Sequence, residues 1–120
     1  MLEGTCHCGA VRIELDALPE RLIRCTCSIC RRYGALWAHC TRDTTRIFAA
    51  PGATAGYQWS DRVIEFVHCT TCGCLTHYVS TPKSGSDRVS VNARMLPPEA
   101  IQELHVRIFD GADTWQFLDE

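Results

Sequence analysis

Cysteine spacing constrains this chain more than any other feature, because the thiols come in blocks too tight to pair among themselves. The run RCTCSIC puts Cys25, Cys27 and Cys30 within six positions, in a chain with nine cysteines in all. A C-x-C pair cannot readily close on itself, since neighbouring backbone opposes the roughly 90° dihedral and ~5.5 Å Cα separation of a disulfide. The number of cysteines is odd, and the opening MLEGTCHCG has no basic start, apolar stretch or cleavage site that would mark export. The expectation is a cytoplasmic protein whose thiols are reduced and hold metal.

The other cysteines extend the pattern. Cys6 and Cys8 form a second C-x-C inside GTCHCGAV, and Cys69 and Cys72 form a C-x-x-C inside HCTTCGCL. Residues two apart on a strand share a face, so a slightly bent C-x-C can offer both sulfurs to one ion. A C-x-x-C does the same from a tight turn, and Gly73 after it tolerates the backbone angles of a metal knuckle. Sulfur-only ligation without a ferredoxin-like run points to zinc, with iron as the minority reading. Seven thiols divide into one closed tetrahedral site of four and one site of three with a vacancy. Spacing alone leaves open which pairs join. Cys25, Cys27 and Cys30 can nevertheless form a three-ligand set unaided, and the two remaining pairs would then clamp the start of the chain to its middle.

Periodicity gives the fold class. AVRIEL alternates apolar and polar side chains, and ALWAHCTR, RVIEFVHC, LTHYVS, RVSV, HVRIF and TWQFL read as further short strands. Pro51, Gly52, Gly56, Pro82, Gly85 and Gly111 punctuate them as turns. The best helix candidate is PPEAIQEL, with Ile101 and Leu104 on one face. A chain of 120 residues suits one mainly-β domain over residues 1–120, burying about two thirds of its unfolded surface. A net charge of -2 and a pI near 6.2 leave no electrostatic footprint for nucleic acid, and no apolar run approaches a membrane span.

GTCHCGAVRIEL, RCTCSICRRYGA and HCTTCGCLTHY, in this order, resemble the cysteine blocks of the glutathione-dependent formaldehyde-activating enzyme family, which also contains centromere protein V. YQWSDRVIEFVHCTTCG and VRIFDGADTW resemble later strands of the same domain, whereas RMLPPEAIQEL departs from a glycine-bearing turn expected there. The resemblance implies a β-tent arrangement of small coiled antiparallel sheets stapled by two zinc ions. It implies Cys6, Cys8, Cys69 and Cys72 around a structural zinc. It also implies Cys25, Cys27 and Cys30 around a second zinc at the active site, in agreement with the ligand count.

Three thiolates leave a divalent ion with a net charge near -1, a poor setting for activating water. A thiol substrate suits it better, because coordination strips the thiol proton at neutral pH. Glutathione fits this logic and the resemblance. Its sulfur would add to a small aldehyde such as formaldehyde, or the reverse reaction would run, as in a carbon-sulfur lyase of the S-hydroxymethylglutathione synthase type. Two carboxylates on that ligand call for cations, and Arg24, Arg31 and Arg32 flank the block, with Tyr33 and Trp37 completing a rim. Cys40 reads as a small core side chain, and Cys74 is a spare thiol beside the C-x-x-C. His39 or His77 could supply a fourth ligand to the middle site. That would close it and make the protein a zinc-stapled binding module, whereas an open site that binds the thiol without catalysis would make it a thiol carrier. The oligomeric state is not legible.

Overall fold

The computed structural model describes residues 2–118, so positions 1, 119 and 120 of the expected domain lie outside the described residues. It is mainly β, as the period-two patterning requires, and its strands form two sheets. The smaller sheet holds β1 (Leu2–Thr5), β2 (Val11–Leu15) and β5 (Thr45–Ala49) in the order β1-β2-β5. The larger holds β3 (Leu22–Cys25), β4 (Trp37–Thr41), β6 (Thr54–Tyr57), β7 (Ile64–Cys69), β8 (Leu75–Ser80), β9 (Arg88–Asn92) and β10 (Val106–Phe109), in the order β10-β3-β4-β9-β8-β7-β6. Every ladder is antiparallel except β10 against β3. No helix among the described residues is long and apolar enough to cross a membrane.

Alternation in β2 does what it predicts. Val11, Ile13 and Leu15 are sealed from solvent, while Arg12 and Glu14 face outward. There Arg12 meets Glu3 and Glu14, and Arg46 meets Glu14 and Asp16. Such partly exposed pairs set register more than they stabilise. Ile13 and Leu15 pack with Leu22, Ala38, Val91, Ala93 and Leu96 in a cluster that joins the two sheets. Cys40 rests against that cluster as a small core side chain. A second cluster is aromatic: Trp37, Phe66 and Tyr78 pack together, and Cys25, Cys27 and Cys30 lie against it.

Three local expectations change. PPEAIQEL is helical only over α2 (Pro98–Ile101), although Ile101 and Leu104 do pack on the core. TWQFL forms no strand. It meets β10 through a single bridge between Phe109 and Phe117, because Trp115 sits at φ +60° and turns the chain. Gly56 lies inside β6 rather than at a turn, where a Cβ would collide with the Glu65 side chain. The patterning also left unmarked a helix, α1 (Ser28–Tyr33), built on the central cysteine block.

Candidate metal centres

The first centre is assembled from both sheets. Strand β1 runs into Cys6 and Cys8, and Gly9 at φ +83° turns the chain back into β2. Strand β7 ends on Cys69, and Gly73 at φ +78° forms the knuckle that returns Cys72 beside it. The sulfurs of Cys6, Cys8, Cys69 and Cys72 all lie within 4.8 Å of one another. Cys8 Sγ is 3.7 Å from Cys6 Sγ and 3.6 Å from Cys69 Sγ, the latter across 61 positions of sequence. Backbone donors point inward at these sulfurs, Val11 N–H at Cys6 (3.3 Å) and Thr71 N–H at Cys69 (3.4 Å). The Cys72 thiol is drawn down to about 5, chiefly by the Cys74 backbone N–H and then by that of Cys8. Cys74 stays outside the four-sulfur group and packs against it.

The second centre gathers Cys25, Cys27 and Cys30, also within 4.8 Å. Cys25 closes β3, and Cys27 is the N-cap of α1, its sulfur accepting the Cys30 N–H at 3.4 Å. Gly34 at φ +67° ends the helix and donates to the Cys30 carbonyl. A six-residue helix is enough to swing Cys30 back over Cys25. Among the described residues no histidine, aspartate or glutamate joins this set. His39 bonds Ser90 instead. His77 is buried against Thr76 (2.8 Å), and burial holds its pKa down to about 4. Neither histidine joins the three-sulfur group among the described residues.

The sulfurs share protons unequally. Cys25 is drawn down to about 6, chiefly by the Cys30 thiol and, against burial, by the backbone N–H groups of Cys27 and Gly111. Cys30 is pushed up by the same contact with Cys25 and by burial, and the Trp37 indole works against that rise. Trp37 is 2% exposed, and its Nε1 meets no acceptor in full hydrogen-bond geometry. The Cys30 sulfur is the group it acts on. A buried donor near Cys30, together with the lowered Cys25 thiol, suits anionic sulfur held by a soft cation. Both sets therefore have the donor chemistry to hold zinc.

A loop missed by sequence reasoning completes this centre. The parallel register Phe109↔Cys25 brings both strands to the same edge, so the chain leaving β10 runs beside the cysteines. A Cβ on Gly111 would lie 2.7 Å from Cys25 Sγ and 3.1 Å from Cys27 Cβ. Close approach, not turn geometry, is why glycine stands there. Trp37 is core rather than rim, and Tyr33 packs on Phe66 with ring centroids 5.5 Å apart. Arg24 is exposed on β3, and strand alternation sends it to the face opposite Cys25. Arg32 donates to the Ser28 carbonyl at 2.7 Å. Arg31, exposed four residues beyond Cys27, shares that cysteine's face of the helix. Two surface grooves lie elsewhere, one between Gly4 and Pro97 and one between His39 and Asp87.

The family model described as glutathione-dependent formaldehyde-activating enzyme matches residues 1–109. A relative from Halomonas elongata, described as a putative glutathione-dependent formaldehyde-activating enzyme, is 54% identical over 33 residues, which cover 27% of this chain and 21% of that protein. A crystal structure of a Rhodobacter sphaeroides protein superposes with a TM-score of 0.71 at 33% identity, covering 88% of this chain and 99% of that one.

Proposed function

The chain belongs to the glutathione-dependent formaldehyde-activating enzyme family, and on that premise we propose that it is a zinc-dependent carbon-sulfur lyase of the S-hydroxymethylglutathione synthase type. The observation that carries this reading is the unequal pair of sulfur sets: one has four cysteines and the other has three, with no histidine, aspartate or glutamate joining it among the described residues. Cys6, Cys8, Cys69 and Cys72 would hold a structural zinc. Cys25, Cys27 and Cys30 would hold the zinc of the active site. Bound there, zinc supplies a Lewis-acidic centre at which a substrate thiol gives up its proton at neutral pH.

The chain's own groups do the rest. The backbone N–H groups of Cys27 and Gly111 help draw the Cys25 thiol down and the Trp37 indole works against the rise at Cys30, so these surroundings favour anionic sulfur. Arg31 is the cation best placed for a substrate carboxylate, which a guanidinium binds as a fork. The glutathione sulfur attacks the aldehyde carbon and a carbon-sulfur bond forms. The carbonyl π pair moves to oxygen, which takes up the proton the thiol released. Atoms and electrons balance without an oxidant, and the reverse reaction follows the same path.

Metal counting under mild chelation tests the reading against a binding module with two closed sites. The expected result is two zinc ions per chain, one released well before the other, because an exchangeable fourth position admits the chelator. Simultaneous release of both, or saturation at one ion, would move the weight to the module.

A further inference from the structure

We propose that Trp115 is a substrate-contacting wall of the three-cysteine site, stacking on an amide plane next to the thiol and so selecting peptide thiols over simple aliphatic ones. The inference rests on the thiol-binding reading of Cys25, Cys27 and Cys30.

The ring is placed by a locked loop. Asp110, 8% exposed, accepts from Thr26 Oγ1 at 2.8 Å, from Thr114 N–H at 3.1 Å and from Thr114 Oγ1 at 2.9 Å. Thr26 is the residue between the first two cysteines of the block, so this carboxylate ties the loop directly to the ligand set. Ala112 N–H donates to the same threonine hydroxyl at 3.3 Å. From this frame Gly111 presses on Cys25 and Cys27, and Trp115 Cζ3 lies 3.5 Å from the point where a Gly111 Cβ would stand. The edge of the indole therefore stands on the same side of Gly111 as Cys25 Sγ and Cys27 Cβ.

Its conformation points to contact with a ligand. Trp115 is 70% exposed, the most open large apolar side chain among the described residues, yet it is not loose. Its N–H donates to the Asp110 carbonyl at 2.7 Å, and its ring meets Phe109 in a T-shaped pair at 5.1 Å. It also sits at φ +60°, a region that bulky residues occupy only when their surroundings compel it and that often marks functional sites. A strained backbone holding a rigid aromatic face in solvent gains nothing for the core. An indole face suits flat, polarisable groups, and a peptide thiol such as glutathione carries an amide on each side of its thiol-bearing residue.

The test uses protein loaded with cobalt(II), whose sulfur charge-transfer band reports thiol coordination without turnover. Glutathione and 2-mercaptoethanol are titrated into the parent protein, Trp115→Ala and Trp115→Phe. Expected is a loss of about tenfold in glutathione affinity for Trp115→Ala, with 2-mercaptoethanol changed by less than about twofold, and most of the affinity kept by Trp115→Phe. Equal losses for both thiols, or no loss for glutathione, would overturn the inference while leaving thiol coordination standing. A parent spectrum indifferent to both thiols would overturn the thiol-binding reading and this inference with it.

Discussion

Cys69→Ala is expected to abolish the native fold, while Cys27→Ala leaves a folded protein. The four-sulfur set joins the β1–β2 turn of one sheet to the end of β7 in the other, spanning 61 positions between Cys8 and Cys69. The apolar cluster around it is small: Cys6, Val11 and Cys69 are its only fully buried members among the described residues. With so little core there, a structural zinc contributing an apparent ~10–16 kcal/mol at neutral pH is comparable to the whole stability of a domain this size. Losing Cys69 also strands three thiols at a sheet junction. Cys27 is only partly buried, and its loss removes one ligand and the cap of α1, costing about 1 kcal/mol beyond the metal term. Circular dichroism melts of both variants, with zinc counted on the same samples, decide this. A native, fully loaded Cys69→Ala beside an unfolded Cys27→Ala would reverse the assignment of the two centres.

Glutathione is expected to bind the zinc-loaded protein at least about a hundredfold more tightly than S-methylglutathione, a gap of roughly 2.8 kcal/mol. Both ligands keep two carboxylates, so any contact with Arg31 is common to them. Only the free thiol can lose a proton and coordinate as an anion, so the difference isolates the metal term. Arg31→Ala should weaken both by a similar, smaller factor and reduce the salt sensitivity of what remains. Calorimetric titration reads both effects, and equal affinities for the two ligands would remove thiol coordination from the account.

The parts of the fold and site that were legible are those written in local order. AVRIEL announces β2 by its alternation, which puts one face on the core, whereas RVIEFVHC and LTHYVS announce β7 and β8 by their β-forming residues, with side chains buried on both faces. β1, β3 and β6 escaped because LEGT, LIRC and TAGY have four residues each, and β5 because TRIFA does not alternate; Gly4 and Gly56 lie inside two of these strands, and Gly56 reads as a turn. At both glycines the requirement is room, since a Cβ would strike Met95 or Glu65. Helix α1 escaped because SICRRY has no apolar period and its cap is a cysteine, outside the usual capping residues. Arg31 and Arg32 in the last turn, followed by Gly34, were the available signals.

Both sulfur sets were legible from spacing because their members, or their pairs, are close in sequence. The loop from Asp110 to Trp115 was not, because Thr26 and Asp110 are 84 positions apart and meet only through the parallel pairing of β3 with β10. The arginines show the converse limit. Nearness in sequence suggested three cations around the thiols, whereas strand alternation and the helix surface favour Arg31 over Arg24 and Arg32.

The most direct measurement of the central claim is exchange NMR with 13C-formaldehyde and glutathione at equilibrium, which reads the rate of S-hydroxymethyl adduct formation and breakdown without an indicator enzyme. Faster exchange is expected with the zinc-loaded protein than in buffer, and buffer-like exchange with a folded Cys27→Ala variant. A fully loaded native protein that leaves the exchange rate at its buffer value would contradict the claim.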